Sequence, residues 1–93
     1  MLVGTCTIAI RLHATKSLKD KRSIIKSLTT RMRQQLNISV AEVDAMDELG
    51  RAVIGLAAVS LSESLIRDLF RSAEAMAERA PGAAVMDVSV YLH

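Results

Sequence analysis

A cluster of basic side chains at the start of a predicted helix is the strongest chemical signal in this 93-residue sequence. It occupies residues 16–22, Lys-Ser-Leu-Lys-Asp-Lys-Arg. Because the helix dipole favours anions there, each cation is disfavoured by roughly 0.3–1 kcal/mol, and such local conflicts tend to lie at functional sites. Cations spaced along a helix can contact successive phosphates. We therefore predict a nucleic-acid-binding face formed by Lys16, Lys19, Lys21, Arg22, Lys26 and Arg33.

The distribution of charge along the chain supports this interpretation. The net charge is only +2, but residues 1–36 carry eight basic side chains and one acidic one, a net +7. Residues 37–93 carry four basic and nine acidic side chains, a net −5. A division of this kind indicates a polyanionic partner or electrostatic association between copies of the chain. The alternative for the basic helix is a solvated face that only keeps the protein soluble.

A second charged group is acidic and surrounds a predicted strand and the turn after it. Its members are Glu42, Asp44, Asp47 and Glu48. Glu42 and Asp44 are two residues apart, so they are expected to share one face of the strand. There they could hold a hard cation or act as a general acid and base. We favour instead a charged edge that prevents edge-to-edge pairing of sheets, or that contacts a basic helix of another subunit.

Several classes of site lack the residues that they need. The single cysteine, Cys6, excludes a disulfide framework and a multi-cysteine metal site. Phe70 and Tyr91 are too few aromatic residues for base stacking. The sequence contains no glycine-rich phosphate loop, nucleophile elbow or His-Glu-x-x-His motif. We therefore expect no catalytic residue, no metal and no cofactor. No apolar run approaches the ~20 residues of a membrane span, so we expect a cytoplasmic protein with no membrane partner.

The elements that position these residues follow from the spacing of apolar side chains. Period-two patterns predict strands over residues 3–12, 38–45, 51–61 and 85–92. Helical periodicity predicts one helix from the Ser17 cap to Asn37 and a second over residues 62–79, with Ser60 or Ser62 as its cap. The second helix is expected to have Leu65, Leu69, Ala73 and Met76 inside. The order βαββαβ is that of an α+β, ferredoxin-like sandwich, a four-stranded antiparallel sheet with two helices on one face. We expect one domain over residues 1–93, with the first and third strands at the centre of the sheet.

The third strand is apolar on both faces, although the helices cover only one. Val53, Ala57 and Val59 lie on the face that the helices leave open. An exposed apolar surface of this extent is typical of a contact surface. It predicts self-association through the sheet, against the alternative of an ordinary surface with some apolar area.

Three motifs in order resemble a known family. They are Ser17–Arg22 (SLKDKR), Asn37–Val43 (NISVAEV) and the run from Asp47 through Arg51, Ala52 and Gly55 to Val59 and Ser60. Together they resemble the YlxP-like bacterial domain of unknown function, in register over about residues 2–61. The resemblance implies a ferredoxin-like fold. It also implies a role linked to the ribosome or to RNA, since genes of that family often lie among those for translation initiation and ribosome-binding factors.

Two functions from different classes are compatible with the sequence. The first is a non-enzymatic accessory protein that binds RNA or the ribosome through the basic helix. The second is a homodimeric or partner-binding module that uses the apolar sheet face and the divided charge. A hydrolase or small-ligand sensor using Glu42, Asp44 or His13 is a remote third possibility.

Overall fold

The computed structural model describes residues 1–13 and 15–93 and confirms the βαββαβ order. The elements are β1 (Leu2–Leu12), α1 (Leu18–Gln35), β2 (Ser39–Asp44), β3 (Arg51–Ser60), α2 (Glu63–Arg79) and β4 (Ala83–Leu92). The strands form one antiparallel sheet in the order β2-β3-β1-β4, which places β1 and β3 at the centre as the sequence predicts. Both helices pack on the same face of this sheet, so the fold is a ferredoxin-like sandwich.

Serine caps begin both helices, as the sequence predicts. The Ser17 hydroxyl accepts a hydrogen bond from the Asp20 backbone N–H at 3.1 Å, and Asp20 Oδ2 accepts one from the Lys16 N–H at 3.3 Å. The Ser62 hydroxyl accepts one from the Leu65 N–H at 3.2 Å. Each cap satisfies an N–H group that the helix itself cannot pair. The first turn of α1, which carries the basic cluster, is therefore locally well defined.

The core fills the space between the sheet and the two helices. Its strand residues are Cys6, Ile8, Ile10, Leu12, Val40, Ala52, Ile54, Leu56 and Ala58. Its helix residues are Ile25, Leu28, Met32, Ile66, Phe70, Ala73, Met76 and Ala77. These side chains define the two sheet faces, because successive strand residues point to opposite sides. Even-numbered positions of β1 and β3 face the core, and odd-numbered positions lie on the open side.

The predicted inner face of α2 was wrong at Leu65, whereas Leu69 is half-buried and packs against the core as predicted. Leu65 is 52% exposed, whereas Ile66 and Phe70 are buried. Gly4 of β1 explains the difference, since a Cβ atom there would lie 2.4 Å from Ile66 Cγ2 and 3.1 Å from Phe70 Cε2. The glycine allows α2 to approach β1 closely through these two side chains. Ala73 and Met76 are buried as predicted.

Irregularities in the pairing of β2 and β4 change the phase of side-chain alternation. Glu42 pairs with Ile54 and Asp44 with Val53, so Val43 is an extra residue in β2. In β4 the extra residue is Met86, which places Val85 on the core side with Val88 and Val90. The uniform alternation predicted for β4 is therefore wrong at Val85, because a bulge adds one residue on one strand only.

Candidate functional site

Four of the six predicted phosphate-binding residues form an exposed basic surface at the start of α1. Lys16, Lys19, Arg22 and Lys26 are all exposed. None of them takes part in the salt bridges formed within residues 1–13 and 15–93. We refer to these four residues as the basic face. Their charges are available to an external anion.

Lys21 does not belong to the basic face, and its predicted contact with phosphate is wrong. Its side chain is fully buried, its Nζ atom lies 3.2 Å from Glu42 Oε2, and it donates a hydrogen bond to the Ala45 carbonyl. The helical period explains this, since Lys21 is one turn before Ile25 and continues the buried stripe of Ile25 and Leu28. A buried ammonium group requires such partners because desolvation of an unpaired charge is costly.

Glu42 does not lie on the surface with the other predicted acidic residues, Asp44, Asp47 and Glu48. Its side chain, 18% exposed, lies on the helix side of the sheet, where it meets Lys21. The extra residue at Val43 brings Asp44 opposite Val53, which lies on the open side. Glu42 and Asp44 therefore do not share a face, contrary to the prediction, and the disfavoured alternative of a cation site or an acid–base pair between them loses its geometric basis. Asp44, Asp47 and Glu48 are exposed, and Glu48 pairs with Arg51 at 3.1 Å.

The turn between β2 and β3 is attached to the start of α1. Ala45 has a positive φ of 60°, and its carbonyl accepts hydrogen bonds from the Lys21 ammonium and from the Glu48 N–H. The Asp44 carboxylate accepts a hydrogen bond from the Ala45 N–H at 2.8 Å, which holds this left-handed conformation. The Thr15 hydroxyl donates to the Leu49 carbonyl at 2.6 Å. These contacts position the first turn of α1, and with it the basic face.

Arg33 lies outside the basic face, at the other end of α1. Its guanidinium donates a hydrogen bond to the Val40 carbonyl of β2 at 3.1 Å. Because β2 is an edge strand, this bond satisfies a carbonyl that would otherwise face water or another chain. Arg33 thus protects the edge of the sheet. Its helical spacing from Lys19, Arg22 and Lys26, with which it forms a basic stripe along α1, did not indicate this role.

The open face of the sheet carries Val53, Ala57 and Val59, in the positions that the sequence predicts. Its outward side chains form five rows across the strands: Val59–Val3–His93, Ser39–Ala57–Thr5–Tyr91, Ala41–Gly55–Thr7–Ser89, Asp44–Val53–Ala9–Asp87 and Arg51–Arg11–Ala84. A shallow depression lies over Gly55, where Val43 leans so close that a Cβ atom on Gly55 would be 2.8 Å from Val43 Cγ1. Val59 is 59% exposed and Tyr91 64% exposed. Sequence reasoning did not include Val43 or Tyr91 in this surface.

Cys6 is a buried part of the core, as expected for a small hydrophobic residue. Burial raises the pKa of its thiol to about 11, and the negative charge of Glu74 adds to this effect. The reactive thiolate is therefore scarce at neutral pH.

Within residues 1–13 and 15–93, no three His, Cys, Asp or Glu side chains are grouped as metal ligands. Neither α1 nor α2, the two helices of the same ranges, is long and apolar enough to cross a membrane.

Solved structures support the assignment of the fold. A de novo designed protein with a ferredoxin fold superposes with a TM-score of 0.64 at 16% identity, covering 97% of this chain and 85% of the designed one. A dimeric ferredoxin-like protein from an uncultured marine organism gives a TM-score of 0.51 at 14% identity, covering 100% of this chain and 96% of the other. Both likenesses concern the fold alone.

Sequence comparisons identify the family. The uncharacterised protein YlxP of Bacillus subtilis (strain 168) is 33% identical over 61 residues, which is 66% of this chain and 66% of that protein. The model of the family described as "Protein of unknown function (DUF503)" matches residues 3–90, which include all six elements of the sandwich except the last residues of β4 and the first of β1. This chain therefore belongs to the DUF503 family of proteins of unknown function.

Proposed function

We propose that this protein is a non-enzymatic accessory protein that binds the phosphate backbone of RNA, including RNA within the ribosome, through its basic face. The observation that carries the proposal is the presence of four exposed basic side chains, Lys16, Lys19, Arg22 and Lys26, none with an acidic partner among the described residues. Unpaired cations at a helix start oppose the helix dipole. A bound polyanion would offset this repulsion.

The spacing of the basic face suits a phosphate backbone. With a rise of about 1.5 Å per residue, Lys19 and Arg22 are about 4.5 Å apart along the helix axis, and Arg22 and Lys26 about 6 Å. A long flexible side chain at each position can reach a separate phosphate. The fully buried Lys21 and its partner Glu42 hold the turn from which these side chains project. The helix start is thus a rigid support for mobile cationic groups.

The mode of recognition would be backbone contact rather than base stacking. Phe70 is buried in the core, and Tyr91 is an isolated exposed aromatic residue on an edge strand. Arg and Lys contacts to phosphate fix position without reading sequence. We therefore expect weak sequence preference and strong dependence on salt. The ribosome-linked role that the resemblance to the YlxP-like domain implies is compatible with this proposal.

The test is co-sedimentation with ribosomes, together with fluorescence anisotropy on a structured RNA across a salt series. Four phosphate contacts predict a slope of log affinity against log salt of about −3 to −4. The variant Lys19→Glu/Arg22→Glu/Lys26→Glu should lose binding at least about 100-fold at low salt, since each lost phosphate contact weakens binding severalfold. The fold is checked by circular dichroism.

A matched control reverses the same amount of charge on the other helix. Arg67→Glu/Arg71→Glu/Arg79→Glu changes three exposed arginines of α2 and should retain most of the binding. Equal losses in the two triple variants would mean that only net charge matters. Unchanged binding in the first variant would overturn the proposal.

A further inference from the structure

We propose that a second copy of this chain packs on the open face of the sheet, so that two sheets lie face to face. This inference is independent of RNA binding, because the basic face lies on α1, on the opposite side of the sheet. It rests on the composition, size and charge pattern of the open face, and on the protection of the sheet edges.

The central part of the open face carries no Lys, Arg, Asp or Glu side chain. Three consecutive rows, from Val59–Val3–His93 to Ala41–Gly55–Thr7–Ser89, contain small, apolar or hydroxyl-bearing residues together with Tyr91 and with His93, whose Nε2 lies 3.1 Å from the Thr5 hydroxyl. Val53 and Ala9 continue the uncharged surface along the two central strands. Depletion of charge at the centre, with charges at the periphery, is typical of a protein–protein interface.

The size of the face is close to what a stable dimer needs. Four strands about 4.8 Å apart, with about nine residues each at about 3.3 Å, cover roughly 19 Å by 30 Å, or about 570 Å² in plan. Accessible area exceeds plan area because side chains project from the pleat. Specific interfaces bury from about 600 Å² on each partner. The open face alone therefore supplies this area, with the sheets about 10 Å apart.

The charges on the face favour a second copy over a nucleic acid. Arg11 and Arg51 are balanced by Asp44 and Asp87, so the face is neutral. A polyanion needs a net positive surface. A copy of the same chain can match a neutral face, because its own acids and bases are present in equal number.

The same charges select one orientation. Two sheets face to face are related by a two-fold axis that lies in the plane between them. An axis along the strands would place Arg11 opposite the partner's Arg51 and Asp44 opposite the partner's Asp87, which juxtaposes like charges. An axis across the strands through the Gly55–Thr7 row avoids both contacts. In that orientation β1 crosses over β1, and Thr7 lies near the axis.

Association through the edges of the sheet is disfavoured. Both edge strands are bulged, and Arg33 donates a hydrogen bond to the Val40 carbonyl of β2. A bulged edge with an occupied carbonyl is a poor template for pairing with another strand.

Sedimentation velocity on nuclease-treated protein tests the proposal. The chain has a mass of 10.1 kDa, so the expected species is about twice this mass at tens of micromolar, with little dependence on salt. Val59→Lys places an ammonium group opposite the partner's Arg51, and Thr7→Glu places two carboxylates together near the two-fold axis. Each change lies at an exposed position of the face and should weaken the dimer at least about 30-fold.

Leu61→Glu is the matched control, since Leu61 is 89% exposed and follows β3 outside the five rows. It should leave the dimer unchanged. A wild-type protein that is monomeric at several hundred micromolar would overturn the proposal, and so would a dimer unaffected by both face variants. Circular dichroism confirms that each variant is folded.

Cross-linking with a short bismaleimide reagent tests the orientation. Thr7→Cys should form a covalent dimer, because the two Thr7 positions face each other near the two-fold axis at about the 10 Å separation of packed sheets, which such a reagent spans and a disulfide does not. The native Cys6 should not cross-link, as it is buried. Ser72→Cys, at an exposed position on α2, is the control and should stay monomeric on a denaturing gel. Efficient cross-linking of Ser72→Cys but not of Thr7→Cys would overturn the face-to-face arrangement.

Discussion

The ammonium group of the fully buried Lys21 lies 3.2 Å from Oε2 of Glu42. This ion pair joins the first turn of α1 to the edge strand β2. The Glu42 oxygen is itself buried and accepts no hydrogen bond within residues 1–13 and 15–93, so its attraction to Lys21 is mainly electrostatic. The basic side chains of residues 16–22 therefore have two different roles. Lys21 joins α1 to β2, whereas Lys16, Lys19 and Arg22 face the solvent.

Removing one member of this pair should be costly. We expect Lys21→Met to lower the free energy of unfolding by about 2–4 kcal/mol, because the Glu42 carboxylate is left partly buried without its counter-charge. The measurement is urea denaturation followed by circular dichroism. The double variant Lys21→Met/Glu42→Leu removes both charges and should recover most of the loss. Additive losses in the double variant would contradict a coupled pair.

The close packing of α2 on β1 leads to a second prediction. Gly4→Ala should lower the melting temperature by about 5–15 °C, equivalent to roughly 1–3 kcal/mol, because the added methyl group overlaps Ile66 Cγ2. Gly50→Ala is the control, since the nearest atom to its Cβ position, the Leu12 carbonyl oxygen, is 4.0 Å away. Differential scanning calorimetry compares the two. Similar melting temperatures for both variants would refute the argument from close packing.

The elements of the fold could be predicted because periodicity is a local property. Apolar spacing and serine caps located both helices within about two residues, and the order of elements determined which strands are central. The inner face of α2 was less certain, because apolar residues occupy two adjacent positions in each of its first two turns, Leu65–Ile66 and Leu69–Phe70. An inner face that contains Leu65 and Leu69 and one that contains Ile66 and Phe70 are equally compatible with a helix packed on a sheet. The glycine on a distant strand decides between them.

The candidate site was predicted in part. Lys21 was grouped by its charge, although its distance of four residues from Ile25 already placed it on the buried stripe. That signal was present in the sequence. The placement of Glu42 and Asp44 on opposite faces of the sheet could not be read from the sequence. The extra residue at Val43 depends on how β2 pairs with β3 and not on the local pattern of side chains. The bond from Arg33 to the Val40 carbonyl likewise depends on the tertiary arrangement of α1 and β2.

The buried thiol gives a third prediction. Cys6 should react with Ellman's reagent at pH 8 far more slowly in the native protein than in urea, since burial raises its pKa to about 11. Because the folded pKa lies above the unfolded value, this thiol favours folding at low pH, and that contribution is lost as the pH rises from about 9 to about 11. Glu74→Gln should lower the pKa and speed the native reaction modestly. A native rate equal to the unfolded rate would be incompatible with a buried thiol.

The division of the basic stripe into distinct roles gives the last prediction. Arg22→Ala should weaken RNA binding severalfold and reduce the salt slope by about 0.7–0.9, the effect of one phosphate contact. Arg33→Ala should leave both quantities almost unchanged, because Arg33 is bonded to the Val40 carbonyl at the far end of α1. Its loss should instead lower the free energy of unfolding by about 0.5–1.5 kcal/mol, the usual net value of one hydrogen bond. Anisotropy titrations and urea melts on the same two proteins give both readouts. If the two variants lose affinity equally, RNA contacts the whole length of α1, and the binding surface would have to be extended beyond Lys16, Lys19, Arg22 and Lys26.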